Sequence, residues 1–135
     1  MYTFETKVRV RYAETDQMGY VYYGNYAMYY EVGRVELFRS LGFSYKALED
    51  SGIMLPVIEL QSKFLKPATY DEEITVKASL NEKPSVKIRF DYELFNQRGE
   101  LLNTGSTTLV FVDKQRNKPC VAPADFLARL RRHFE

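Results

Sequence analysis

Hydrophobic and polar residues alternate strictly at the start of the chain. Tyr2, Phe4, Thr6, Val8, Val10 and Tyr12 fall on one face, and Thr3, Glu5, Lys7, Arg9 and Arg11 on the other. A period of two is that of a half-buried β-strand. The alternation stops at Glu14-Thr15-Asp16, and a loop follows with Gly19 available for a positive φ. From Tyr26 the period becomes helical. Tyr26, Tyr29, Tyr30, Gly33, Leu37 and Leu41 share one stripe, which Val32, Val35 and Phe38 widen. So broad an apolar surface predicts a helix that is largely enclosed. Asn25 stands at its N-cap, where a side-chain oxygen can accept from the first-turn N–H groups. Gly42 stands at its left-handed C-cap. Ser44 then caps a short second helix, Tyr45 to Asp50, closed by Gly52.

Strand after strand follows. The apolar run from Ile53 to Lys66 has Pro56 near its start, which predicts an edge or a bulge there. Pro67 to Asp71 is a turn. Glu73 to Leu80 alternates, with Ile74, Val76, Ala78 and Leu80 inward, and Asn81 to Pro84 turns the chain. Val86, Ile88, Phe90, Tyr92 and Leu94 then alternate with Lys87, Arg89, Asp91 and Glu93. Gln97-Arg98-Gly99 makes a hairpin into Glu100 to Val112, in which Gly105 marks a close approach or a bulge. Pro123 to Phe134 reads as an amphipathic helix, with Arg129, Arg131 and Arg132 favourably placed against the negative end of its dipole. The pattern predicts an α+β fold. One antiparallel five-stranded sheet is covered by the Tyr26–Leu41 helix, and a C-terminal helix closes the chain. A sheet wrapped around one central helix is the hotdog architecture.

With 135 residues the chain is read as a single domain, 1–135, large enough to bury one core. Its 19 basic and 18 acidic residues leave a net charge of +1, which argues against a nucleic-acid surface. There is one cysteine, Cys120, so no internal disulfide forms, and the expected setting is intracellular. The N-terminus lacks the continuous apolar stretch of a signal peptide, and no run reaches transmembrane length. A soluble, cytoplasmic protein with no membrane partner is expected.

The chemistry is narrowed by what is missing. The only histidine, His133, lies beside the end of the basic C-terminal helix, which argues against Ser-His-Asp or Cys-His pairs and His-rich metal sites. There is neither a G-x-S-x-G elbow nor a Gly-rich phosphate loop. A hydrolase built on this chain must use a carboxylate. The stretch Tyr12 to Tyr30, YAETDQMGYVYYGNYAMYY, supplies one at Asp16, just ahead of a helix N-terminus whose free N–H groups suit a developing oxyanion. On the residues alone, Asp16 equally serves a turn at Gly19, as Asp often does. Glu14 reads as a solvated or salt-bridging residue, and Glu31, Arg34, Glu36 and Arg39 as helix-surface charges or interface pairs. Tyr26 and Tyr30 are expected to pack, with Tyr22 and Tyr23 near the pocket. Cys120 is expected to be inert.

The run Y-A-E-T-D-Q-M-G-Y-V-Y-Y-G-N-Y, Tyr12 to Tyr26, resembles the signature loop of the 4-hydroxybenzoyl-CoA thioesterase-like hotdog acyl-CoA thioesterases. F-L-K-P-A-T-Y-D-E-E-I, Phe64 to Ile74, resembles the second strand-turn of the same family, and the similarity runs from about Phe4 to Asp113. The resemblance implies hydrolysis of acyl-CoA thioesters, without metal or cofactor, at sites between subunits of a homodimer or homotetramer. It puts Asp16 on the catalytic carboxylate, as general base or as nucleophile. It puts Tyr23 where a backbone N–H polarises the thioester carbonyl, with Tyr22, Gly24 and Asn25 beside the substrate. Many bacterial relatives have histidine at the position of Tyr23, so an imidazole role is lost here while the backbone donor remains. Lys83 and Ser85 fall on the turn where relatives bind the CoA nucleotide. The absence of a usable histidine also counts against the hotdog dehydratases and hydratases. Two other classes of function fit the same fold: an acyl-carrier-protein thioesterase, which would favour a basic pocket mouth, and a non-catalytic acyl-CoA-binding protein, which would not need Asp16.

Overall fold

A computed structural model describes residues 1–135. The opening alternation forms β1 (Tyr2–Arg9). The chain then passes through two 3-10 turns, Tyr12–Glu14 and Tyr23–Asn25, into α1 (Tyr26–Ser40) and α2 (Tyr45–Asp50). The strands that follow are β2 (Ile53–Met54), β3 (Val57–Phe64), β4 (Glu73–Leu80), β5 (Lys87–Phe95) and β6 (Leu101–Val110). Two short strands, β7 (Val112–Asp113) and β8 (Lys118–Pro119), precede α3 (Ala124–Leu130). No helix is long and apolar enough to cross a membrane.

The main sheet is antiparallel, in the order β1-β4-β5-β6-β3. β1 runs beside β4 in unbroken register, from Tyr2 opposite Leu80 to Arg9 opposite Glu73. Period-two burial holds strictly in β4 and β5, where Ile74, Val76, Ala78, Leu80, Ile88, Phe90, Tyr92 and Leu94 are all buried. α1 lies across this face. Its Tyr29, Tyr30, Leu37 and Phe38 are at most 2% exposed, and burying each such side chain is worth roughly 1.5–3 kcal/mol. The Tyr30 ring stacks on that of Tyr92 with centroids 4.4 Å apart, and Phe38 packs against both Phe90 and Phe126, which brings α3 into the same core. The expected hotdog arrangement of five strands around one helix is what forms. α1 ends at the left-handed Gly42, and Ser44 caps α2 by accepting from the Ala47 N–H.

Three details differ from the sequence reading. Tyr12 does not continue the β1 face: Glu14 bonds back to Arg11, the chain turns, and the Tyr12 ring is left exposed. Arg34 is not on the surface. α2 folds back over α1, so Arg34 is buried with its Nε donating to the Tyr45 hydroxyl at 2.9 Å. The apolar run from Ile53 is split at Pro56, and its first two residues leave the main sheet for a small one, β2-β7-β8. The edge or bulge expected near Pro56 is found: β3 is an edge strand with a register shift between Val57 and Glu59, and its Ile58, Leu60 and Phe64 are 54%, 45% and 51% exposed.

Candidate active site

Asp16 sits in a tight turn that its own atoms close. Its backbone N–H donates to the Tyr20 carbonyl at 2.8 Å, and its carbonyl accepts from Gly19 at 3.0 Å. The turn needs a positive φ at Gly19, which stands at 79°. Asp16 Oδ1 accepts from the N–H groups of Met18 at 2.9 Å and Tyr20 at 3.2 Å. Nothing in the chain donates to Oδ2. One oxygen is therefore committed to the turn, and the other is oriented by it and left free. The turn-capping and chemical readings of Asp16 are compatible, because they use different oxygens.

α1 begins after Asn25, as expected, but Asn25 does not cap it, and a 3-10 turn, Tyr23–Asn25, leads into it. Asn25 has helical backbone angles, φ −83° and ψ −11°, and its side chain caps nothing. Its Nδ2 instead donates to the Glu14 carbonyl at 2.9 Å. The extended residue before the first turn is Tyr22, φ −61° and ψ 132°. Tyrosine has no oxygen close enough to its own backbone to fill the first N–H groups, as Ser, Asp or Asn would. The N–H groups of Tyr23 and Gly24 accordingly donate to nothing in the chain. A Cβ on Gly24 would come 2.8 Å from the Tyr22 ring, which would have to shift to admit it.

Asp16 and Tyr23 line one open cleft of about 420 Å³, together with Met18, Tyr20, Val21, Tyr26, Phe64, Leu65, Lys66 and Pro67. The expected Tyr22 lies just outside it, its ring 4.6 Å from that of Tyr23. Tyr26 packs as expected, edge-on to Phe64 at 5.1 Å. Lys83 and Ser85 are not brought to this cleft within one chain. They follow the far end of β4, eight residues of strand away, which at about 3.3 Å per residue is on the order of 25 Å. The Phe64–Pro67 wall was quoted in the sequence as part of a strand-turn but not singled out as lining. Lys66 is its one cation, held at 2.6 Å by Glu100.

Glu14 is salt-bridged, as expected, and it is also buried. Its Oε1 accepts from the Arg11 N–H at 2.9 Å and the Tyr29 hydroxyl at 2.8 Å, and its Oε2 from Arg11 Nε at 2.8 Å. Burial opposes its ionisation, but the bonds from Arg11 and Tyr29 outweigh that and hold its pKa below the ordinary carboxylate value. Burial and the same contact push the Tyr29 phenol well above its ordinary value. Cys120 lies apart from all of this, half-buried, with its thiol pushed up chiefly by burial.

The chain matches the thioesterase-like superfamily over residues 10–130. YneP of Bacillus subtilis is 37% identical over 119 residues, covering 88% of this chain and 86% of that protein. The acyl-CoA thioester hydrolase YbgC of Escherichia coli is 28% identical over 95% of this chain and 96% of its own. Among solved structures, the DHNA-CoA thioesterase from Staphylococcus aureus superposes with a TM-score of 0.86 at 38% identity, covering 99% of this chain and 85% of that one.

Proposed function

The chain belongs to the thioesterase-like superfamily and is an acyl-CoA thioester hydrolase, and on that premise we propose that Asp16 carries the chemistry through its free Oδ2. The carboxylate takes a proton from water, and the water oxygen attacks the thioester carbonyl. The carbonyl oxygen, now an oxyanion, accepts from the unpaired N–H groups of Tyr23 and Gly24. Collapse of the tetrahedral intermediate breaks the C–S bond. The thiolate of CoA leaves and takes the proton from Asp16, giving the free acid and CoA. Attack by Oδ2 itself, through a mixed anhydride, uses the same geometry. The observation that carries the proposal is that Asp16, with one uncommitted carboxylate oxygen, and Tyr23, whose N–H and that of the adjoining Gly24 are uncommitted, line one cleft. Such donors are worth most where water is excluded, and the cleft of a single chain is open.

That openness supports a second part of the proposal: the working enzyme is at least a homodimer paired through β3. The strand is one of the two edges of the sheet, and its apolar inner face packs too little on α1 to be covered by it. Phe64 and Leu65 belong at once to this uncovered surface and to the cleft wall. A second copy covering β3 closes the site and brings its own surfaces towards the CoA, among them the turn of Lys83 and Ser85.

The test is Asp16→Asn, which keeps the Oδ1 acceptor for Met18 and Tyr20 and replaces only the free oxygen. General base catalysis is worth roughly 10²–10⁴-fold, so kcat for thiol release falls by that much. The unfolding midpoint and acyl-CoA affinity stay where they were. A folded Asp16→Asn enzyme with full activity would place the base elsewhere.

A further inference from the structure

We propose that Glu14 is a positioning residue for this reaction, locking the loop that bears Asp16 onto the first turns of α1. The proposal rests on the Asp16 reading above. Asp16's own bonds, to Met18, Gly19 and Tyr20, all lie inside its loop. They orient the carboxylate relative to the loop and say nothing of where the loop stands against the helix. Tyr20 and Val21 tie the loop to Ala68 and Thr69 on the far side of the cleft. The tie to the helix is Glu14.

It acts through both its backbone and its side chain. The Glu14 carbonyl accepts from the Tyr22 N–H and from Asn25 Nδ2, both at 2.9 Å, one on each side of the Tyr23 and Gly24 donors. Its carboxylate reaches past them to Tyr29, which is 2% exposed on the buried face of α1. Arg11, at the end of the preceding strand, closes the other side. Two residues on from this anchor stands Asp16. A surface turn has no need of a carboxylate that is 6% exposed. Such a group is costly to bury unless every oxygen finds donors, and here three bonds converge on it. What the arrangement fixes is the separation between the free Oδ2 and the two N–H groups. A displacement of about 1 Å between reacting groups can cost on the order of 10²-fold in rate.

Glu14→Gln keeps the shape and removes the charge, setting an amide against the donors of Arg11. Tyr29→Phe removes a single donor and leaves the core filled. For acyl-CoA hydrolysis, Glu14→Gln lowers kcat by up to about 10²-fold, and Tyr29→Phe lowers it less. KM holds in both, because neither residue lines the cleft. In the Asp16→Asn background neither change lowers the residual rate further, since no base is left to misplace. Losses that multiply in that background would overturn the proposal, as would a raised KM at unchanged kcat. A wild-type kcat in Glu14→Gln beside a crippled Asp16→Asn overturns the positioning role alone. Full activity in Asp16→Asn overturns the catalytic assignment and the positioning role with it. Should Glu14→Gln fail to fold, Tyr29→Phe decides on the same criteria.

Discussion

The two edges of the main sheet are built to opposite ends. β1, at one edge, carries Glu5, Lys7 and Arg9 on its outer face, and Phe4 and Val8 pack against the core beneath α1. Lys7 and Arg9 reach Glu73 on the neighbouring strand, and Arg9 also reaches Asp71. Charged side chains on a covered edge strand discourage another chain from adding to it. β3, at the other edge, turns Ile58, Leu60 and Phe64 to solvent at around half exposure. The candidate catalytic loop stands beside the second edge, and Phe64 is common to both. One edge is finished within the chain. The other presents an apolar row, Ile58, Leu60 and Phe64, that its own chain leaves uncovered.

The most severe way to break that contrast is Leu60→Lys. A lysine buried without a partner costs several kcal/mol, and a symmetric pairing brings in two of them. Each 1.4 kcal/mol is tenfold in the association constant, so pairing weakens by hundreds-fold or more. Sedimentation velocity should show a monomer, and thiol release should drop to background although Leu60 is not in the cleft of its own chain. A Leu60→Lys protein that still pairs and still turns over would mean that β3 is not the interface.

A smaller effect is expected from Gly105→Ala, which probes what lies under the open edge. Beneath β1 the filling is apolar. Beneath β3 and β6 it is a polar network: the Tyr30 hydroxyl bonds Asn103 and, at 2.7 Å, Ser62, while Asn103 Nδ2 donates to Ser62 at 3.0 Å. Gly105 lies against this network, and a Cβ there would overlap the Tyr30 phenol. That ring cannot swing aside, since it is fully buried and stacked on Tyr92. Overpacking of this kind costs about 1–3 kcal/mol, read as a lower urea midpoint with the m-value unchanged. An unshifted midpoint would show that the network yields easily and is not what stiffens this side of the sheet.

What the sequence made legible follows the same division. β4 and β5 have one face in and one face out, so period-two alternation specified their buried residues completely. Gly105 was legible as a close approach because a glycine inside a strand has few other uses. The exposure of β3 was not legible: Ile58, Leu60 and Phe64 mark an apolar face between Glu59, Gln61 and Lys63, and such a face looks the same whatever covers it. That Asp16 and Tyr23 share a cleft could be anticipated, because they lie seven residues apart in one motif. Glu14 could not, since its character depends on Tyr29, fifteen residues on and on the far side of a chain reversal. Arg34 was missed for the same kind of reason, as only the fold-back of α2 brings Tyr45 over it. The start of α1 after Asn25 was legible, but the capping side chain that signals a start is not used there. Here the useful feature is that the chain has none at Tyr22.

The smallest expected effect tests the finished edge. Lys7→Ala with Arg9→Ala removes the ion pairs that Lys7 and Arg9 make with Glu73 and Asp71, all between side chains at least a third exposed. Exposed pairs of this kind are worth about 0–1 kcal/mol each and are screened by salt. The midpoint of unfolding should move by no more than about 1 kcal/mol, and less at high ionic strength. The apolar contacts of Phe4 and Val8 with the core are untouched, so β1 stays in register with β4. Neither kcat nor the sedimentation coefficient should change, because nothing on this edge touches the cleft or the proposed pairing surface. If the double variant dissociates or loses turnover, then the charged edge joins the copies, and the contrast between the two edges has been read the wrong way round.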